Sequence, residues 1–242
     1  MKVTYCSVTD KGDRTNNEDS VECGAWKDDY CFALADGLGG HEKGEAASRL
    51  VTLTAMDIFQ KEGFNEFYLR EAFEISQEKL TELQIKEQLE GDMKTTLVLL
   101  GINAREVCWG HIGDSRLYYF EGKKLIKQTK DHSVPQMLVN IGEIKEADIR
   151  NHPDRSRILR VMGMDWEHPF YDIAEPVPTT LGQSFLMCTD GFWELITEEE
   201  MVNCLKKSKT VYEWITAMEK IVMENGKEKN MDNYSAIGVW IR

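Results

Sequence analysis

Proline is scarce, five in 242 residues, and no proline- or serine-rich stretch divides the chain. No run reaches the roughly 18 apolar residues that a membrane-spanning helix requires. The segment Met1 to Cys6 lacks the apolar centre of a signal peptide, which predicts a cytoplasmic protein without a membrane partner. The six cysteines, at 6, 23, 31, 108, 188 and 204, form no C-x-x-C pair. That excludes a cysteine zinc site and a disulfide framework. Cys6, Cys31, Cys108 and Cys188 fall in strand-like runs, where a thiol behaves as a small hydrophobe. Positive charge is also short: 29 basic against 42 acidic residues give a net charge of −13. Nonspecific nucleic-acid binding needs the opposite balance. Internal repeats are absent, and 42% hydrophobic residues suffice for a substantial core. One compact domain spanning 1–242 is expected.

What is present is a succession of apolar runs that end in polar, glycine-bearing turns. Strands are predicted at 2–8, 19–26, 30–35, 93–101, 106–112, 117–120, 168–175, 183–189 and 234–241. The 93–101 run is apolar enough to be buried on both faces. Helices are predicted from near Glu42, and at 65–89, 134–141, 146–151 and 210–225. Asp131 or Ser133 caps the third of these, and Thr197 with Glu200 forms a capping box for a further helix. The organising stretch is Asp36-Gly37-Leu38-Gly39-Gly40-His41, between a buried strand and a helix. Its glycines permit close backbone approach to an ion or phosphate.

Asp19, Asp36, Asp114, Asp190 and Asp232 all lie at ends of apolar strands, each beside a glycine, an asparagine or a second carboxylate. Any one alone is ordinary turn chemistry. Together, five oxygen donors without a cysteine or histidine cluster suit Mg²⁺ or Mn²⁺ and not zinc. Two such ions about 4 Å apart can ionise a water and steady a transferring phosphoryl group. Arg14 has the planar fork that holds phosphate oxygens, and His41 can deliver a proton near neutral pH. Phosphate-monoester hydrolysis needs up to ~10²¹-fold acceleration, which few arrangements other than paired metals reach. Arg155, Arg157 and Arg160 form a local basic spot that reads mainly as solvated surface.

In this order the motifs resemble the metal-dependent protein phosphatases of type 2C (the PPM family), compact bacterial form. Arg14-x-x-Asn17-Glu18-Asp19, Asp36-Gly37-x-Gly39-Gly40-His41, Thr95-Thr96, Gly113-Asp114-Ser115-Arg116, Asp131-His132-Ser133, Asp190-Gly191 and Asp232-Asn233 carry the likeness over nearly the whole chain. The resemblance implies an α+β fold, a four-layer α-β-β-α sandwich with two central antiparallel sheets flanked by helices. It implies Asp36 bridging two Mn²⁺ or Mg²⁺ ions, the Gly37 carbonyl on one, and Asp190 and Asp232 as further ligands. Asp19, with Glu18 nearby, would support the cluster, and Asp114 would hold a third, weaker ion shared with Asp190. Arg14 resembles the phosphate-binding arginine and His41 the general acid. A metal-bridging hydroxide would attack phosphorus in line, without a phosphoenzyme. The substrates implied are phosphoserine and phosphothreonine proteins, targets of a Ser/Thr kinase in signalling, handled by a monomer. Residues 133–163 resemble the mobile flap beside the active site.

The chain departs from the family pattern at Lys94, where glycine is usual, and at Ser156 and Leu159, which replace polar flap residues. These changes bear on flap geometry and substrate preference. Two other readings remain on the sequence: a two-metal phosphatase of a small phosphomonoester, and an adaptor on the same fold with weak catalysis. Intact Asp36, Asp190 and Asp232 oppose the adaptor.

Overall fold

The computed structural model describes residues 1–39, 43–89 and 91–242. Its strands are β1 (Val3–Asp10), β2 (Asp19–Trp26), β3 (Asp29–Leu38), β4 (Lys94–Thr95), β5 (Leu97–Ile102), β6 (Glu106–Ile112), β7 (Arg116–Glu121), β8 (Lys124–Gln128), β9 (Asp172–Ile173), β10 (Val177–Pro178), β11 (Gln183–Cys188) and β12 (Tyr234–Ile241). Its helices are α1 (Lys43–Glu62), α2 (Tyr68–Glu87), α3 (Val134–Asn140), α4 (Asp190–Trp193), α5 (Glu198–Lys207) and α6 (Val211–Gly226), with a 3-10 helix at Glu146–Asn151. One sheet has the order β1-β12-β11-β7-β8. The other runs β10-β6-β5-β3-β2, with β4 beside β3 and β9 beside β6. Every pairing is antiparallel.

The apolar runs are explained by what covers each face. Along β3, Phe32 and Leu34 pack between the sheets, while Cys31, Ala33 and Ala35 pack under α1 and α2. Along β12, Ile237, Val239 and Ile241 face the opposing sheet, while Ala236 and Trp240 lie under α5 and α6. A strand covered on both sides cannot alternate apolar with polar residues, so β5, β11 and β12 are buried throughout. The result is the expected four-layer α-β-β-α sandwich, with one core between the sheets and one under each helical layer.

Several expected elements differ. The 93–101 strand breaks at Thr96 into β4 and β5, because Thr96 turns its hydroxyl to Ser115 and to the Asp36 amide. The 168–175 strand reduces to β9, and a second short strand, β10, follows it. Both are two-residue strands covering the edge of β6. β8 has no signal in the sequence, being a largely exposed edge strand bearing Lys124 and Lys127. Residues 146–151 form a 3-10 helix. Ser133, and not Asp131, caps α3. Asp131 instead grips Arg116 through both oxygens, at 2.8 and 2.7 Å.

Candidate metal centre and active site

Antiparallel pairing brings the ends of some strands and the starts of others to the same end of the sandwich. β2 begins at Asp19, which is the register partner of Asp36 near the end of β3. The turn from β6 to β7 carries Asp114 from one sheet to the other. β11 ends just before Asp190, and β12 begins just after Asp232. A cavity of about 550 Å³ opens there, lined by Arg14, Glu18, Asp36, Gly37, Asp114, Asp190 and Asp232, with Ser156 and Ile158 of the 133–163 segment on its wall. Asp19 lies behind this wall, its Oδ2 accepting from Thr189 Oγ1 at 3.0 Å.

The backbone around Asp36 is held firmly. Its amide donates to Thr96 Oγ1 at 2.9 Å, and its carbonyl accepts from Thr95 Oγ1 at 2.8 Å and from the Thr96 amide at 2.9 Å. The Gly37 amide donates to the Glu18 carbonyl at 3.1 Å. A side chain at Gly37 would collide with the Gly44 carbonyl at the start of α1, so only glycine allows the strand and helix to approach here. Asn233 fastens the opposite wall. Its Oδ1 accepts from the Glu18 amide at 2.8 Å, and its Nδ2 donates to the carbonyls of Lys11 and Asn16 at 2.9 Å each.

The electrostatics are severe. Burial pushes Asp19 up to about 7, with hydrogen bonds from Ser235 and Thr189 opposing and the charges of Asp190 and Asp232 adding. Burial also pushes Asp190 up to about 7, aided by Glu194 and Asp232. Asp36 lies well above the ordinary range through burial and then through repulsion from Asp19, Asp190, Asp114 and Asp232. Asp114 is raised by burial and by Asp190 and Asp131. Asp19 Oδ1 and Asp114 Oδ1 are buried and have no hydrogen-bond partner among the described residues. Orphaned anionic oxygens, in a set made of oxygen donors alone, fit hard divalent cations.

Arg14 and Asp232 stand at the mouth. Arg14 Nη2 reaches Asp232 Oδ2 at 2.7 Å, with both side chains about half exposed. The fork therefore faces the cavity while Asp232 orients it. Glu18 lines the same cavity. His41, expected as the general acid, lies outside the described residues. Of the three flap arginines, Arg155 pairs with Glu194 at 2.9 Å and Arg157 with Asp154 at 3.4 Å. Arg160 lies 5.8 Å from the centre of the Phe170 ring. All three are exposed, as the sequence suggested.

Two supporting residues were not singled out from the sequence. Thr189 takes the Ser235 amide on its hydroxyl at 2.9 Å while donating to Asp19, so it joins β11, β12 and the carboxylates. Trp193 donates its indole N–H to the Asp114 carbonyl at 3.0 Å and carries the Arg116 guanidinium 3.5 Å above its ring. The available signal for Thr189 was a hydroxyl residue directly before an Asp-Gly turn. Nothing local marked Trp193, whose partner is 79 residues away.

Known proteins share this arrangement of chain. The Serine/threonine phosphatase stp of Listeria welshimeri is 30% identical over 214 residues, 85% of this chain and 84% of that protein. The Serine/threonine protein phosphatase PstP of Mycobacterium tuberculosis is 34% identical over 210 residues, 85% of this chain but only 39% of that longer protein. The crystal structure of the M. tuberculosis phosphatase PstP/Ppp superposes with a TM-score of 0.87 at 30% identity, covering 99% of both chains. A PstP catalytic domain solved in complex with 2 manganese ions gives a TM-score of 0.83 at 28% identity, again over 99% of both chains. Residues 11–234 match the family described as Protein phosphatase 2C. The chain belongs to the protein phosphatase 2C family.

Proposed function

We propose that this chain, as a single domain over 1–242, hydrolyses phosphoserine and phosphothreonine esters of proteins. In this reading Asp36, the Gly37 carbonyl, Asp190 and Asp232 hold two Mn²⁺ or Mg²⁺ ions. Asp19 and Glu18 support them, and Asp114 with Asp190 takes a third, weaker ion. The observation that carries the reading is the gathering of Asp19, Asp36, Asp114 and Asp190 in a partly buried cluster whose carboxylates repel one another. The names of the bacterial relatives support protein substrates, and the manganese-bound PstP domain supports the metal dependence.

Bound cations would supply a water ionised near neutral pH and would neutralise charge on the phosphoryl oxygens. The chain's own groups do the rest. Arg14 orients the phosphoryl group through two N–H bonds, with Asp232 holding the guanidinium in place. His41 donates the proton that the leaving serine or threonine oxygen requires. The 133–163 segment presents Ser156 and Ile158 to the residues flanking the phosphoester. The chain would act as a cytoplasmic monomer on targets of a Ser/Thr kinase.

The test is phosphate release from a phosphothreonine peptide with Mn²⁺, then with Mg²⁺, then with excess EDTA, beside a panel of small phosphomonoesters. Turnover of the peptide that needs metal and exceeds that of the small esters is expected. Metal-independent turnover, or turnover confined to small esters, would overturn the reading.

A further inference from the structure

A second cluster of titratable side chains lies behind the Asp114 turn. Gly113 has a φ of +103°, and a side chain there would strike Thr96 Cγ2 at 2.5 Å, so this peptide has one available path. Its amide donates to His132 Nδ1 at 3.2 Å, and its carbonyl accepts from the His132 amide at 2.9 Å. A backbone N–H can only donate, so Nδ1 bears the lone pair and Nε2 the hydrogen of a neutral ring. That Nε2 lies 3.1 Å from Asp172 Oδ2. The His111 ring stacks on His132, with centroids 4.7 Å apart and planes 12° apart. His111 Nε2 is 2.8 Å from the Lys130 carbonyl, which can only accept. Burial lowers both imidazoles, His111 to about 4, so both are neutral near pH 7.

One nitrogen of each imidazole and an Asp172 oxygen lie within 4.8 Å of one another, a donor set that would suit a transition metal. The assigned hydrogens argue otherwise. Ligation through His132 Nε2 would move its hydrogen to Nδ1, head-on to the Gly113 N–H. The cluster is a clamp on a peptide. Its reach extends to the flap, because the His132 carbonyl accepts from the Leu159 amide at 2.7 Å, next to Ile158 on the cavity wall.

We propose that His132 is a positioning residue for the reaction: oriented by Asp172 and His111, it sets the Gly113 peptide and with it the Asp114 carboxylate, and joins that turn to the 133–163 segment at Leu159. The inference rests on the proposed role of Asp114 as a cation ligand.

The experiment is titration of the full chain with Mn²⁺, reading free Mn²⁺ by electron paramagnetic resonance, alongside hydrogen exchange at the Gly113 amide. His132→Asn keeps an oxygen near the place of Nδ1, able to accept from Gly113. His132→Gln carries its polar groups one bond further, towards Asp172. His132→Gln is expected to weaken the Asp114-dependent Mn²⁺ sites by about tenfold, the usual scale for groups that orient a ligand. It should also speed Gly113 exchange, while His132→Asn recovers most of both. Asp172→Ala, at an exposed side chain that leaves the core intact, should act as His132→Gln does but more weakly. A role in folding alone would make Asn and Gln equivalent, and that result overturns the inference. Asp114→Asn is the reference. If it leaves the isotherm unchanged, the ligand role of Asp114 falls; if it alters the isotherm and His132→Gln does not, positioning by His132 falls.

Discussion

Asp190→Asn should stabilise the chain when divalent cations are stripped, while removing its ability to use them. Asp190 is half-buried on the cavity wall, and loss of solvent, with the charges of Glu194 and Asp232 adding, pushes it from the ordinary 3.8 up to about 7. Well below pH 4 the carboxyl is protonated in both folded and unfolded states and makes no difference to stability, and at pH 4 the difference is still small. As pH rises, the unfolded chain ionises first and the folded state is penalised by an amount that levels off above about pH 7. The shift is roughly 3 units at about 1.4 kcal/mol each, a penalty of order 4 kcal/mol. Part of it is shared with Asp19 and Asp36 and is relieved when one of them takes up a proton. A gain of about 2–4 kcal/mol for the neutral amide follows, or about 4–16 °C in Tm for a domain of this size. The assay is thermal unfolding in EDTA at pH 8 and at pH 4, repeated with Mn²⁺ at pH 8. The variant should melt higher than wild type at pH 8 in EDTA and close to it at pH 4, and should lose most of the stabilisation that Mn²⁺ confers. A variant that melts lower in EDTA at pH 8, or gains equally at both pH values, refutes the electrostatic account.

Arg14→Ala should reduce kcat/KM on a phosphothreonine peptide by about 10- to 100-fold, the loss of a charge-assisted contact to phosphate. It should leave the melting temperature nearly unchanged, since its pair with Asp232 is half exposed. Gly37→Ala should cost about 3 kcal/mol in urea unfolding, because the added carbon meets backbone atoms of Gly44 and Glu18 that cannot rotate away. A cost under 1 kcal/mol would mean that α1 and β3 separate freely. Arg116→Met should destabilise by about 3–5 kcal/mol, leaving the Asp131 carboxylate buried without its partner. Adding Asp131→Asn should restore much of that loss.

The motifs that gather at the cavity were legible in the sequence because each is local. Asp36, Gly37, Asp190 and Asp232 each sit in a short motif whose turn requires glycine or asparagine, and β2, β6 and β12 follow their apolar patterns residue for residue. The Thr197–Glu200 capping box was equally legible, for a capping box is complete within four residues. Other features depend on partners far along the chain. Asp131 reads as a helix cap, yet it faces Arg116, which becomes a neighbour only when β7 enters the sheet. β8 carries no apolar signature because it lies at an edge and buries little. Trp193 under the Asp114 carbonyl, Thr189 against Asp19, and the stacked His111 and His132 are contacts between elements that only the sandwich brings together. Motif residues can be named from sequence because turn geometry constrains the types that fit. That five carboxylates converge at one end, and how strongly their burial sets them against one another, depends on strand direction and on which faces are covered, and packing alone decides those.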